Sequence, residues 1–183
     1  YIGAYNGYFY ALEGSTGTQI WNYTTSDILP SSPAAVNGVV YFGSYDNNVY
    51  ALNASTGTQV WNYTTGDVIW SSPAVANGVV YIGSADFNLY ALNATNGAKI
   101  WSYPTGVYPS YLISSPAVAD GVVYIGARGP WPSGTVYALN ATTGGKIWSY
   151  QTGGDVDSSP AVAGGVVYVG SNDGNVYAFG VSA

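Results

Sequence analysis

The chain of 183 residues is 48% hydrophobic and carries nine acidic against three basic residues, for a net charge of −6. Lys99, Arg128 and Lys146 are too few to neutralise a phosphate backbone, which excludes nucleic acid as a partner and argues equally against an anionic membrane surface. Histidine and cysteine are absent, which removes the usual general base, thiol nucleophile, soft metal ligands and disulfides together; no apolar run approaches the roughly 20 residues that span a bilayer.

Read in order, the chain is one unit written repeatedly. Residues 1–25 begin part-way through it, with YIGA, GYFYALE and QIWNYTT as its second, third and fourth strands. Three whole units follow at 31–65, 71–105 and 114–152, and residues 158–183 supply first, second and third strands. Ser-Ser-Pro recurs at Ser31, Ser71, Ser114 and Ser158, Tyr-x-Gly at Tyr1, Tyr41, Tyr81, Tyr124 and Tyr168, and a Trp closes units at Trp21, Trp61, Trp101 and Trp148, at spacings of 40 to 47 residues. A period of that size marks a repeat architecture in which each unit buries its apolar faces against its neighbours. The length suits a single domain of 1–183.

The unit from Ser71 to Trp101 divides into four short runs. Ser71–Ala76 contains a Pro that suits only the beginning of a strand; Asn77-Gly78 is a two-residue type I′ hairpin signal; Val79–Ser84 is β-branched and aromatic. Leu89–Asn93 and Lys99–Tyr103 follow, separated by Asp- and Asn-bearing turns. Apolar residues never recur at helical spacing, and Gly or Pro interrupts every stretch long enough for a helix. A parallel β-helix has shorter rungs and lacks regular hairpins. The prediction is an all-β β-propeller built from four-stranded antiparallel blades, with incomplete blades at both ends.

The segment A-L-N-A-x-T/N-G-x-x-x-W, at Ala51–Trp61, Ala91–Trp101 and Ala138–Trp148, closely resembles the tryptophan-docking motif of pyrroloquinoline-quinone (PQQ) type β-propeller repeats. The resemblance covers essentially the whole chain and implies that Trp21, Trp61, Trp101 and Trp148 lock each blade to the next. The family usually has Asp where this chain has Asn53, Asn93 and Asn140, and Glu13 in the first unit. Its members include quinone enzymes, outer-membrane assembly scaffolds and surface proteins, so it implies fold far more than function. Quinone enzymes of this kind bind their cofactor with a basic residue, an acidic base, calcium and often paired cysteines; this chain lacks the cysteines, and its three basic residues fall in outer strands or an insertion. No catalytic residue, cofactor or metal site is therefore expected.

Asp46, Asp86 and Asp173 occupy equivalent hairpins and read as turn-formers, too few per loop for calcium. Asp67, Asp155 and Asp157, with Asp27, precede first strands and are expected at one mouth of the ring as an acidic rim. Trp70 and Trp131 fall outside the repeat; with Tyr108 and Tyr111 they belong to loops the scaffold does not require, and are the candidates for binding a sugar or a protein. The third whole unit has two insertions, at Val107–Ile113 and Arg128–Gly134.

Solubility rests on Ser, Thr, Asn and Tyr rather than ions. Five N-x-S/T sequons, at Asn22, Asn53, Asn62, Asn93 and Asn140, are candidate glycan sites, and an extracellular or cell-surface location follows as an expectation. Tyr1 is not a translational start, so a leader or further chain is expected before it. The strands number eighteen against sixteen for a closed four-bladed ring. Either the chain is part of a propeller of seven or eight blades, or neighbouring subunits complete its ends in a homo-oligomer or polymer. The expected function is a structural or adhesive module, with a carbohydrate- or protein-binding scaffold as the alternative.

Overall fold

The computed structural model describes residues 1–27, 29–106 and 112–180. Eighteen strands form five antiparallel sheets. The first contains β1 (Ile2–Gly3), β2 (Tyr8–Leu12) and β3 (Gln19–Thr24). The second has β4 (Ala34–Val36), β5 (Val39–Gly43), β6 (Asn48–Asn53) and β7 (Gln59–Thr64), and the third β8 (Ala74–Ala76), β9 (Val79–Gly83), β10 (Asn88–Asn93) and β11 (Lys99–Pro104). The fourth has β12 (Ala117–Ala119), β13 (Val122–Arg128), β14 (Gly134–Asn140) and β15 (Lys146–Thr152); the fifth has β16 (Ala161–Ala163), β17 (Val166–Gly170) and β18 (Val176–Gly180). In every sheet the strands pair in chain order, which makes each a blade of a β-propeller with three-stranded blades at the two ends.

The innermost strands β4, β8, β12 and β16 touch one another in succession and lie nearest the centre. They are shorter than the sequence predicts, because the Ser-Ser-Pro ahead of each is spent on contacts between and within blades. The first Ser hydroxyl of each accepts the amide of the blade's own Tyr-x-Gly glycine, as Ser71 does from Gly83 at 3.2 Å. The second Ser links blades: the amides of Ser32, Ser72 and Ser115 donate to the hydroxyls of Ser72, Ser115 and Ser159 at 2.9, 2.9 and 3.0 Å.

The first hairpins close as predicted. Asn37-Gly38, Asn77-Gly78 and Asp120-Gly121 all have positive φ at both residues, the signature of the type I′ turn. The outer pairing carries a bulge: Ala51 faces Trp61 but Leu52 faces Gln59, leaving Val60 as the extra residue. The same bulge recurs at Ile20, Ile100 and Ile147. It turns the following Trp toward the next blade and leaves the β-branched residue facing solvent, so that Ile20, Val60, Ile100 and Ile147 are about half exposed.

The core is a series of layers between blades. Tyr41, Val49, Ala51 and Trp61 of the second blade meet Val80, Ile82, Tyr90 and Leu92 of the third, and the layers on either side repeat the arrangement. The linker after each of the first four blades adds one apolar residue seated on the Tyr-x-Gly glycine. A Cβ on Gly43 would lie 2.2 Å from Ile69, one on Gly83 2.6 Å from Leu112, and one on Gly126 2.3 Å from Val156. At Gly170, in the last blade, the nearest atom would be 3.5 Å away.

These seats predict a contrast within one motif. Gly43→Ala should cost about 1–3 kcal/mol by overpacking, whereas Gly170→Ala should stay within about 0.5 kcal/mol. Denaturant unfolding of the two variants checks this, and equal losses would refute the seating.

Candidate functional site

Chemistry in this chain concentrates at the joints between blades. Three of the four repeat tryptophans donate the indole N–H to a backbone carbonyl of the next blade, Trp21 to Ala54 at 3.0 Å, Trp61 to Ala94 at 2.9 Å and Trp101 to Ala141 at 3.0 Å, while Trp148 packs against Phe179 of the fifth blade. In those three the ring lies on the glycine three residues beyond the acceptor. A Cβ at Gly57, Gly97 or Gly144 would come within 2.8 Å of the indole, and each glycine has φ near +70°, where a side chain is strained in any case. The Tyr-x-Gly tyrosine shares the same acceptor, Tyr1, Tyr41 and Tyr81 donating to Ala54, Ala94 and Ala141 at 2.9, 3.1 and 3.1 Å. Nothing in the spacing announces this second donor.

Asn53, Asn93 and Asn140 take over the work of the family's Asp as neutral acceptors. Each Oδ1 accepts the amides two and three residues on, Asn53 from Ser55 and Thr56 at 2.9 and 3.0 Å. This holds the turn that offers both the carbonyl and the glycine. Of the sequon asparagines, Asn22 and Asn62 are exposed on the outer strands β3 and β7, while Asn53, Asn93 and Asn140 are half-buried in these turns.

The hairpin aspartates do more than form turns. Asp46 accepts the Asn48 amide at 3.1 Å as expected, and its other oxygen accepts the Tyr50 hydroxyl at 2.8 Å and the Ser26 amide of the preceding linker at 3.1 Å. Asp86 binds Tyr90 and Gly66 in the same way, at 2.6 and 2.7 Å, and Asp173 binds Tyr177 and Gly153 at 2.7 and 2.9 Å. The fourth blade has no such Asp because the Arg128–Gly134 insertion replaces that turn; there Tyr137 donates to the Thr105 carbonyl at 2.8 Å. Burial, then the bond to a carboxylate, holds the Tyr50 and Tyr90 hydroxyls well above the usual tyrosine range.

The four linker carboxylates do not share one register. Thr25 and Thr65 donate to the carbonyls of Asp27 and Asp67, but the equivalent Thr152 donates to Gly154, so Asp155 lies one residue further along and Asp157 occupies the register of Trp70. Asp67 is exposed and accepts the Val68 amide at 2.8 Å. Asp155 is half-buried, and Asp157 forms a bidentate pair with Arg128 at 2.7 and 2.8 Å. The Arg128 guanidinium holds the Asp157 carboxyl below the usual range. Among the described residues no cluster of three or more His, Cys, Asp or Glu is placed to hold a metal.

The aromatic candidates are dispersed. Trp70, in the linker after the second blade, is half-buried and donates its indole N–H to the Tyr45 hydroxyl at 2.5 Å. Trp131 is 88% exposed at the tip of the β13–β14 hairpin, whose turn is held by Gly129 N–H to Ser133 O at 2.9 Å and Ser133 N–H to Pro130 O at 3.1 Å. Tyr108 and Tyr111 lie outside the described residues. Clefts of about 380, 430 and 260 Å³ lie against the end blades and the joint between the second and third blades, and none is lined by Trp70, Trp131, Asp67, Asp155 or Asp157.

Sheets ordered this way and locked by tryptophan define the class: a PQQ-like repeat β-propeller, present here as an arc of five blades. The chain matches the family described as outer membrane protein assembly factor BamB over residues 1–112 and 111–182, and it belongs to that family. No curated protein matches the sequence. Among solved structures it is similar to BamB from Moraxella catarrhalis, at 23% identity and TM-score 0.80 over 97% of this chain and 53% of that one. The computationally designed Ika8 protein gives TM-score 0.84 at 17% identity over 98% of this chain and 54% of that one. The quinohemoprotein alcohol dehydrogenase ADHIIG from Pseudomonas putida HK5 gives 0.70 at 25% identity over 77% and 28%. The chain thus spans about half the length of the Moraxella protein and of Ika8.

Two predictions follow from this chemistry. Trp101→Ala should cost about 3–5 kcal/mol, while Trp131→Ala, removing an exposed ring, should change stability by less than about 0.5 kcal/mol; comparable losses in chemical denaturation would contradict the assignment. No side chain here has an ordinary pKa between about 5 and 9, so thermal stability should be flat over that range. Tyrosines whose folded pKa is raised stabilise the fold below their unfolded value of about 10 and lose that contribution as pH rises through the folded value. Asp157, with its folded pKa depressed, stabilises above about 3.9 and loses its contribution as pH falls through the folded value. Melting curves from pH 2 to 12 should form a plateau with two falling flanks, and a slope near pH 7 would oppose it.

Proposed function

We propose that this chain is a non-enzymatic structural module of the extracellular or cell-surface environment, glycosylated at its sequons and joining like copies into a larger assembly. One observation carries the reading: the polar side chains that recur in the repeat, tryptophan, tyrosine, serine and aspartate, are engaged in joints between blades. A non-enzymatic role is supported by the uses to which carboxylates are put, Asp46, Asp86 and Asp173 in clasping blades and Asp157 in pairing with Arg128. The family's description as an assembly factor supports a scaffold in preference to a catalyst. Asn22 and Asn62, exposed on outer strands, are the open glycan positions.

A second reading, a binding module for carbohydrate or another surface protein, is favoured by Trp131, since a fully presented indole suits a sugar ring or a partner's pocket.

Intact mass spectrometry of native material, with electron microscopy of the unfractionated sample, tests the first reading. Mass above 19.0 kDa in hexose steps, together with rings or filaments, is the expected result. Unmodified, monodisperse single particles would overturn it and leave the binding module standing.

A further inference from the structure

The strand order gives the propeller two unlike sides, above and below the blades. Strands pair antiparallel and in chain order, so the β4–β5, β8–β9 and β12–β13 hairpins and the β6–β7, β10–β11 and β14–β15 turns fall on one side. The β5–β6, β9–β10 and β13–β14 turns fall on the other, with the linkers between blades. Charge follows this division. Every carboxylate except Glu13 and Asp120 lies on the linker side, together with Arg128, whereas Lys99 and Lys146 begin outer strands on the hairpin side.

A knob stands on the linker side and a hole on the hairpin side. The knob is Trp131, 88% exposed at its hairpin tip. Both feet of that hairpin are clamped to the linker: Arg128 pairs with Asp157, and a Cβ on Gly134 would lie 2.6 Å from the Gly154 carbonyl oxygen. A ring held out on a rigid stalk loses little freedom when it is covered. The hole is the cleft of about 260 Å³ at the joint of the second and third blades, walled by Asn37 and Val60 of one and by Gly78, Ala94 and Thr95 of the other. It is smaller than the about 300–1,000 Å³ of sites that enclose a whole small-molecule ligand, and suits one inserted side chain. Tyr41 also lines it, but its hydroxyl is already bonded to the Ala94 carbonyl, so the surface left to an occupant is mostly apolar. Asn37 and Thr95 carry side-chain oxygens that can accept an indole N–H. The bulge residue here is Val60, smaller than Ile20 and Ile100 at the joints on either side.

We infer that Trp131 of one copy seats in the Val60 cleft of the next, a contact that rests on the self-assembling reading above and specifies its joint. The occupant of the cleft is a second copy for three reasons. Knob and hole lie on opposite sides of the blades, so one chain cannot close the contact on itself. Neither residues 129–133 nor the cleft lining includes a charged side chain, so no ion is stripped of water when they meet. The sides brought together are the acidic one and the one that holds both lysines, which draws copies face to face despite a net charge of −6. The two patches are unlike, so the contact is heterologous and stacked copies extend a filament.

The test uses the full chain and one variant of each half. Trp131→Ala removes the knob and Val60→Asp charges the hole; both positions are exposed, so each variant should fold, which circular dichroism checks. Each alone should stay monomeric where the native chain assembles, with association weakened about thirtyfold or more, as loss of a central tryptophan anchor does. An equimolar mixture regains one good joint, the knob of V60D in the cleft of W131A, and should give 1:1 pairs that grow no further in sedimentation velocity. Asn37→Asp repeats the test at the cleft without touching a strand, since the fourth blade closes the same turn with Asp120, also at positive φ; it should weaken assembly too. Native assembly that persists in W131A and V60D overturns this joint and leaves self-assembly standing by another surface. A native chain that stays monomeric up to millimolar concentration overturns both, and leaves Trp131 to the sugar or foreign protein of the second reading.

Discussion

The structure depends on one interaction repeated along it: an indole N–H bonded to a carbonyl of the next blade while its ring rests on a glycine. A buried indole must satisfy its N–H, and here the acceptor is a turn carbonyl that no strand uses. The glycine is required twice over, by its left-handed backbone and by the ring above it. Upstream, the outer-strand bulge exists because a regular strand would put Trp61 and Val60 on faces fixed by strict alternation with the residues before them. One extra residue re-aims the Trp at the neighbour and expels the β-branched residue to solvent. Bulge, glycine, asparagine-held turn and tryptophan are therefore a single device.

The fold was legible because it is written five times. Strand number, blade order and hairpin type could be read from turn residues and period, and the docking tryptophans from their spacing and resemblance. The inner strands were read too long, because Ser-Ser-Pro looks like the start of a strand; its hydroxyls serve instead as acceptors between and within blades. What stayed hidden depends on contacts between units. Asp46 reads as a local turn residue because one oxygen is one; its other oxygen reaches Ser26, twenty residues back, and no local pattern encodes that. The linker carboxylates diverge for a related reason. Asp155 and Asp157 look equivalent to Asp67 only until the threonine contacts set the register, which places Asp157 at the position of Trp70 and beside Arg128.

The near absence of charge follows from this construction. Joints made of tyrosine, serine, asparagine and backbone groups need no ion pairs, and the described residues contain one salt bridge, at the insertion where the repeat is broken. Neutral hydrogen bonds carry the long-range order, while carboxylates appear where a hydroxyl and an amide from two blades converge on one oxygen.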